Sequence, residues 1–166
     1  MPAGATYEPI ATYTVGSNLS SIVFSGITQS YTDLVIAGRW RASTSGSSLK
    51  MRFNSDSGGN YRWVYVAGGS TTSASAGQAV TSNLYCGEDV STASGFASFV
   101  INIGDYSRSS IFKPTIATGS APGTDVLAIG SSYWSTSAIT AIEIYIDSSN
   151  NYAFGTNFTL YGITAA

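Results

Sequence analysis

Apolar and polar residues alternate along most of this chain. In "DLVIAGRWRA", Leu34, Ile36, Gly38 and Trp40 fall on one side, and Val35, Ala37, Arg39 and Arg41 on the other. "SLKMRFN" sets Leu49, Met51 and Phe53 against Lys50 and Arg52, and "YRWVYVA" groups Tyr61, Trp63 and Tyr65. "FASFVINIG" groups Ala97, Phe99, Ile101 and Ile103. "AITAIEIYID" sets Ile142, Ile144 and Ile146 against Glu143 and Tyr145, and "TNFTLYGI" sets Phe158 and Leu160 against Thr159 and Tyr161. A period of two places successive side chains on opposite faces of a strand, so each run predicts a strand with one buried face. Further strands are predicted near Ile10–Val15, Ser21–Ser25, Asn83–Cys86, Pro114–Thr118 and Val126–Trp134.

Glycine, serine, asparagine and aspartate punctuate these runs, as in "STSGSS", "NSDSGGN", "SAPGTD" and "DSSNN". Such residues accept positive φ or bond their own backbone, which makes turns. No window of helical length carries an apolar stripe at i, i+3 and i+4. The prediction is an all-β fold of about ten strands: an antiparallel two-sheet sandwich, jelly-roll-like, in a single domain over residues 1–166. Residues 1–16 form a candidate N-terminal attachment segment. The stretch from Ala67 to Gly77, "AGGSTTSASAG", is the longest polar connection and predicts an exposed loop.

Composition sharpens this picture. Charged residues make up only 10% of the 166, with serine, threonine and glycine filling the polar positions. A net charge of −2 does not suggest a nucleic-acid partner. No stretch reaches the length of a membrane span, so no membrane partner is expected either. "MPAGATYEPI" lacks the basic and apolar regions of a signal peptide, which predicts synthesis in a reducing cytosol. The sequons at Asn18 and Asn157 then read as chance. The single cysteine, Cys86, permits no intrachain disulfide.

The chain has no histidine, which removes the commonest general base and metal ligand. No phosphate-binding loop occurs, and none of the nine acidic residues sits in a catalytic pattern. The reading is therefore not an enzyme, with no cofactor. "NSDSGGN" places Asn54, Asp56 and Asn60 at loosely calcium-like spacing, but the closing glutamate is missing, so a hairpin turn is the better reading. "GEDV" at Gly87–Val90 reads as a solvated acidic turn. Trp40, Trp63, Trp134, Tyr61, Tyr65 and Tyr133 stand in apolar register and read as core rather than as a sugar platform. Tyr145 and Tyr161 stand out of register and are candidate carbohydrate-stacking residues.

Three segments, "SIVFSGITQSYTDLVIAGRWRAS", "LKMRFNSDSGGNY" and "SAITAIEIYIDSSNNYAFGTNFTLYGI", resemble a jelly-roll β-sandwich family of tailed-bacteriophage virion proteins. "FSGITQSYTDL", "RFNSDSGGNY" and "FTLYGI" carry the resemblance, which spans about Ser21 to Ile163. It implies a virion structural protein, made in the host bacterial cytoplasm and resident in the virion. Because the match starts so near Met1, the expected role is a capsid decoration (cement) protein. Such a protein binds the major capsid protein or another virion protein as a small homo-oligomer, most simply a trimer. A tail-fibre or tail-tip adhesin that binds carbohydrate is the alternative.

Charge adds one further expectation. Five of the seven basic residues, Arg39, Arg41, Lys50, Arg52 and Arg62, fall within 24 positions of each other. If Asp33–Ala42 and Leu49–Asn54 pair as a hairpin through "STSGSS", these cations share one sheet face. That face would be a partner-binding patch for an acidic surface, since arginine's planar fork bonds carboxylates in pairs.

Overall fold

In a computed structural model, the structure describes residues 6–44, 47–68, 73–87, 95–120, 126–133, 135–147 and 150–164. These hold twelve strands: β1 (Tyr7–Thr14), β2 (Ser21–Ser25), β3 (Asp33–Trp40), β4 (Leu49–Phe53), β5 (Tyr61–Gly68), β6 (Ser73–Thr81), β7 (Leu84–Gly87), β8 (Ala97–Ile103), β9 (Lys113–Ser120), β10 (Val126–Tyr133), β11 (Ala141–Ile146) and β12 (Asn157–Ile163). Every pairing is antiparallel.

One sheet runs β1-β12-β3-β8-β9-β10-β5-β6 and the other β2-β11-β4-β7. The subset β1-β12-β3-β8 faces β2-β11-β4-β7, and the chain changes sheet at every step of this eight-strand set except β4 to β7. That is the winding of a jelly roll. The hairpins β5–β6 and β9–β10 extend the large sheet past β8. The fold class agrees with the alternation, at twelve strands rather than about ten.

The alternating positions build the core. Leu34, Ile36, Trp40, Ile101, Ile103, Phe158 and Leu160 point inward from the large sheet, and Leu49, Met51, Phe53, Ile142, Ile144 and Ile146 meet them from the small one. Burying an aliphatic or aromatic side chain of this size contributes about 1.5–3 kcal/mol, and that term holds the layers together. Trp40, Tyr61 and Tyr133 are buried as their register implied, while Trp63 and Tyr65 pack at the core's margin. Trp134 and most of "GEDV" lie outside the described residues.

Two expectations are overturned. Asp33–Ala42 and Leu49–Asn54 do not form a hairpin. β3 pairs with β12 and β8, whereas β4 pairs with β11 and β7 in the opposite sheet. Both strands have an apolar face, and those faces meet across the core instead of lying side by side. The connection is anchored on the way by the Ala42–Tyr152 bridge, by Ser43 N–H donating to Asn151 O, and by Ser48 N–H donating to Asp147 Oδ1. The predicted loop from Ala67 to Gly77 is also wrong over its second half, which belongs to β6 and pairs with β5. Small residues suit this edge position, where one flank is solvent.

Candidate functional site

Separating β3 from β4 divides the expected basic patch into three places. Arg39 and Arg41 stay together at the end of β3. Both guanidinium groups lie over the ring of Phe96, 5.2 and 5.1 Å from its centroid. Among the described residues neither has a carboxylate partner. The Arg41 backbone is fixed from two sides: its N–H donates to Thr156 Oγ1 and its carbonyl accepts from Ala153 N–H at 2.8 Å. Gly155, at φ 83°, turns the chain there, and a side chain on it would start 3.5 Å from Phe96 Cζ. Its neighbour Phe154 is 78% exposed. Two arginines on one ring, beside an exposed phenylalanine, form a cationic and apolar knob. Both cations lie within cation–π distance of one ring, and a guanidinium so placed can still bond a carboxylate through its N–H groups.

Lys50 and Arg52 stand instead on the outer face of the small sheet, interleaved with acidic β11. Lys50 lies 3.8 Å from Asp147 and over the Tyr85 ring, and Arg52 sits opposite Glu143. Arg52 Nε donates to Ser82 O at 3.0 Å, and its guanidinium covers the Tyr145 ring at 4.7 Å. This sheet is therefore locally balanced rather than positive. Arg62 lies on β5, at the far end of the large sheet, opposite Ser132.

The tyrosines proposed for sugar stacking are covered. Tyr145 carries Arg52 on its ring, and its hydroxyl is buried without a hydrogen-bond partner among the described residues. Burial pushes its phenol above the ordinary value, against the pull of Arg52. Tyr161 is half-buried, with Tyr7 edge-on at 6.2 Å. Asn54, Asp56 and Asn60 do not converge on a common centre. Asn54 Oδ1 accepts from Thr140 N–H at 2.8 Å and Ala141 N–H at 3.1 Å. The Asp56 carboxylate accepts from Gly58 N–H, Asn60 Nδ2 and the Tyr133 hydroxyl at 2.8, 2.9 and 2.9 Å. Protein donors occupy the Asn54 and Asp56 oxygens that a cation would need.

Phe96 and Phe154 were missed in the sequence. The signal for Phe96 was present: it shares parity with Ser98 and Val100, on the outward side of "FASFVINIG". Phe154 lies in no alternating run, and only the fold brings its neighbours Ala153 and Gly155 to Arg41 and Phe96.

No family model, no curated protein and no solved structure matches this chain.

Proposed function

We propose that this protein is a bacteriophage virion structural protein, a capsid decoration protein that binds the outer capsid surface as a small oligomer. Its contact is the knob of Arg39, Arg41 and Phe96, docked on an acidic surface of the major capsid protein or another virion protein. The single observation that supports this reading is the pair of guanidinium groups gathered over one ring without a carboxylate partner among the described residues. The resemblance of the "FSGITQSYTDL", "RFNSDSGGNY" and "FTLYGI" segments to phage virion sandwiches supplies the setting. A two-layer jelly roll suits a particle component, because its nonlocal strand pairing ties distant parts of the chain into one cooperative unit.

The test has two parts. In purified particles the copy number is expected to match the capsid lattice; a handful of copies would move the protein to the tail and favour the adhesin alternative. Replacing Arg39 and Arg41 together by serine is expected to leave Tm unchanged. It should weaken particle binding about tenfold or more and flatten its salt dependence. Wild-type binding by the double variant across a salt series would remove the knob from the interface.

A further inference from the structure

Where the outward face of the large sheet meets the β8–β9 turn, the structure holds a cleft of about 360 Å³. Its floor includes Val35, which points outward by register yet is only 5% exposed, whereas Val64 and Val66 on the same face are 56% and 61% exposed. Tyr7 and Ile163, opposite each other on β1 and β12, wall one side, and Pro114 and Ile116 of β9 wall the other. One end carries a carboxylate. Asp33 starts β3 there, and its Oδ1 accepts from Asp105 N–H at 2.8 Å. Gly104 lies against it: a Cβ on Gly104 would start 3.7 Å from Asp33 Oδ1 and 3.0 Å from Pro114 Cγ, so the missing side chain keeps this end open. Among the described residues Asp33 has no cation partner. Arg108 is bonded to Asp105 at 3.0 Å, and the Lys113 ammonium is held by three carbonyls.

We propose that this cleft binds a protonated organic amine, its hydrocarbon body against Val35 and Ile116 and its ammonium at Asp33. Apolar walls with a few polar groups at one end are the usual build of a small-molecule site, and the volume lies in the usual range. The one charge lining the cleft is negative, which favours a cation and disfavours an anion. A carboxylate bonds a charged N–H about twice as strongly as a neutral donor. The backbone N–H of Asp105 fixes Asp33 Oδ1 before the ligand arrives, while the second oxygen has no hydrogen-bond partner among the described residues. Fixing the carboxylate in advance lowers the ordering cost of binding. A hard metal ion would need more oxygens than Asp33 and Asn102 bring, and the apolar walls would do nothing for it. Asp33 and Arg39 stand at opposite ends of β3, so the cleft and the knob are separate sites.

Hexylammonium titrated into the isolated protein, with backbone amide shifts followed by heteronuclear NMR, tests this. Saturable shifts are expected at Val35, Gly104 and Ile116, with a dissociation constant of about 1 mM, the scale that so few atoms allow. Hexanol and hexanoate, of the same length, should bind about tenfold more weakly or worse. Asp33→Asn keeps an oxygen for Asp105 N–H, so Tm should stay unchanged while hexylammonium affinity falls about tenfold, to the level of hexanol. Ile116→Ser, at an exposed position, should weaken the amine about threefold. Arg39→Ser with Arg41→Ser should leave amine binding unchanged even where particle binding is lost, so the cleft and the knob can fail separately. An Nα-acetyl-lysine amide distinguishes the two sources of such a group: affinity equal to hexylammonium assigns the cleft to a partner's lysine side chain, and weaker affinity assigns it to a free amine. Shifts that never saturate, or equal affinity for hexanol, or an Asp33→Asn variant that binds hexylammonium like wild type, overturn the proposal.

Discussion

Lys113 is the one buried charged side chain among the described residues. Its ammonium donates to the carbonyls of Arg108 and Ile111 at 2.6 Å each and to that of Thr136 at 3.1 Å. Three donors meet three carbonyls, so the charge gathers two connecting segments much as a bound cation would. Burial pushes the ammonium below the ordinary lysine value, and Asp105 acts in the opposite direction. In the sequence Lys113 was only one of two basic residues beyond Gly87; nothing in "IFKPT" marks it as interior. Lys113→Met keeps the stem but leaves the three carbonyls without their donor. The expected loss is about 2–4 kcal/mol of unfolding free energy, read as a lower urea midpoint at unchanged slope. A loss below about 0.5 kcal/mol, the size of an ordinary surface change, would mean that water replaces the ammonium.

Among the connections, the turn from β4 to β5 carries the densest polar network. Asn54 and Ser55 both adopt left-handed backbone, at φ 53° and 58°, and asparagine tolerates that conformation better than most residues. Asn54 ties the turn to the start of β11. Asp56 ties it to Tyr133, and Tyr61 closes it with a hydroxyl bond to Asp56 O at 2.9 Å. Desolvation raises the Asp56 carboxyl, but the bonds from Asn60, Gly58 and Tyr133 outweigh it and hold the group below the usual aspartate value. A lowered folded value stabilises the protein above the ordinary aspartate range, and that contribution disappears as pH falls through about 4 and below. Asp56→Asn is therefore expected to cost about 1 kcal/mol at pH 7. The gap to wild type should close below about pH 4 in urea titrations; a gap independent of pH would exclude the carboxylate's charge as its source. This turn was legible as a turn from "NSDSGGN", and strand faces were legible wherever alternation was strict. Alternation fixes which side of a strand is buried but not which strand lies beside it. Hence Leu34, Ile36, Met51 and Phe53 were assigned correctly to the interior, while Arg39 and Lys50 were wrongly placed on one patch. β6, "SASAGQAVT", escaped because small residues without a periodic apolar face look like a loop.

At the scale of the whole molecule, the first and last strands are neighbours at one edge of the large sheet. Tyr7 pairs opposite Ile163, and the small sheet interleaves strands from both halves. Within the eight jelly-roll strands no pair can leave without opening contacts between residues far apart in the sequence, so this set should unfold as one unit. Cys86 offers a probe of that claim. It sits on β7, an edge strand whose four residues are all buried because β5, β9 and β10 pack against it. Burial pushes its thiol up to about 12, with Lys50 pulling weakly the other way. Reaction with an aromatic disulfide at pH 8 needs both exposure and a thiolate, and the folded state supplies neither. Labelling of the native protein should therefore proceed only through opening. At saturating reagent its rate should equal the unfolding rate extrapolated from urea, with the same urea dependence. Peeling of β7 alone would label Cys86 faster and with little urea dependence, and would show that the edge of the small sheet opens independently of the core.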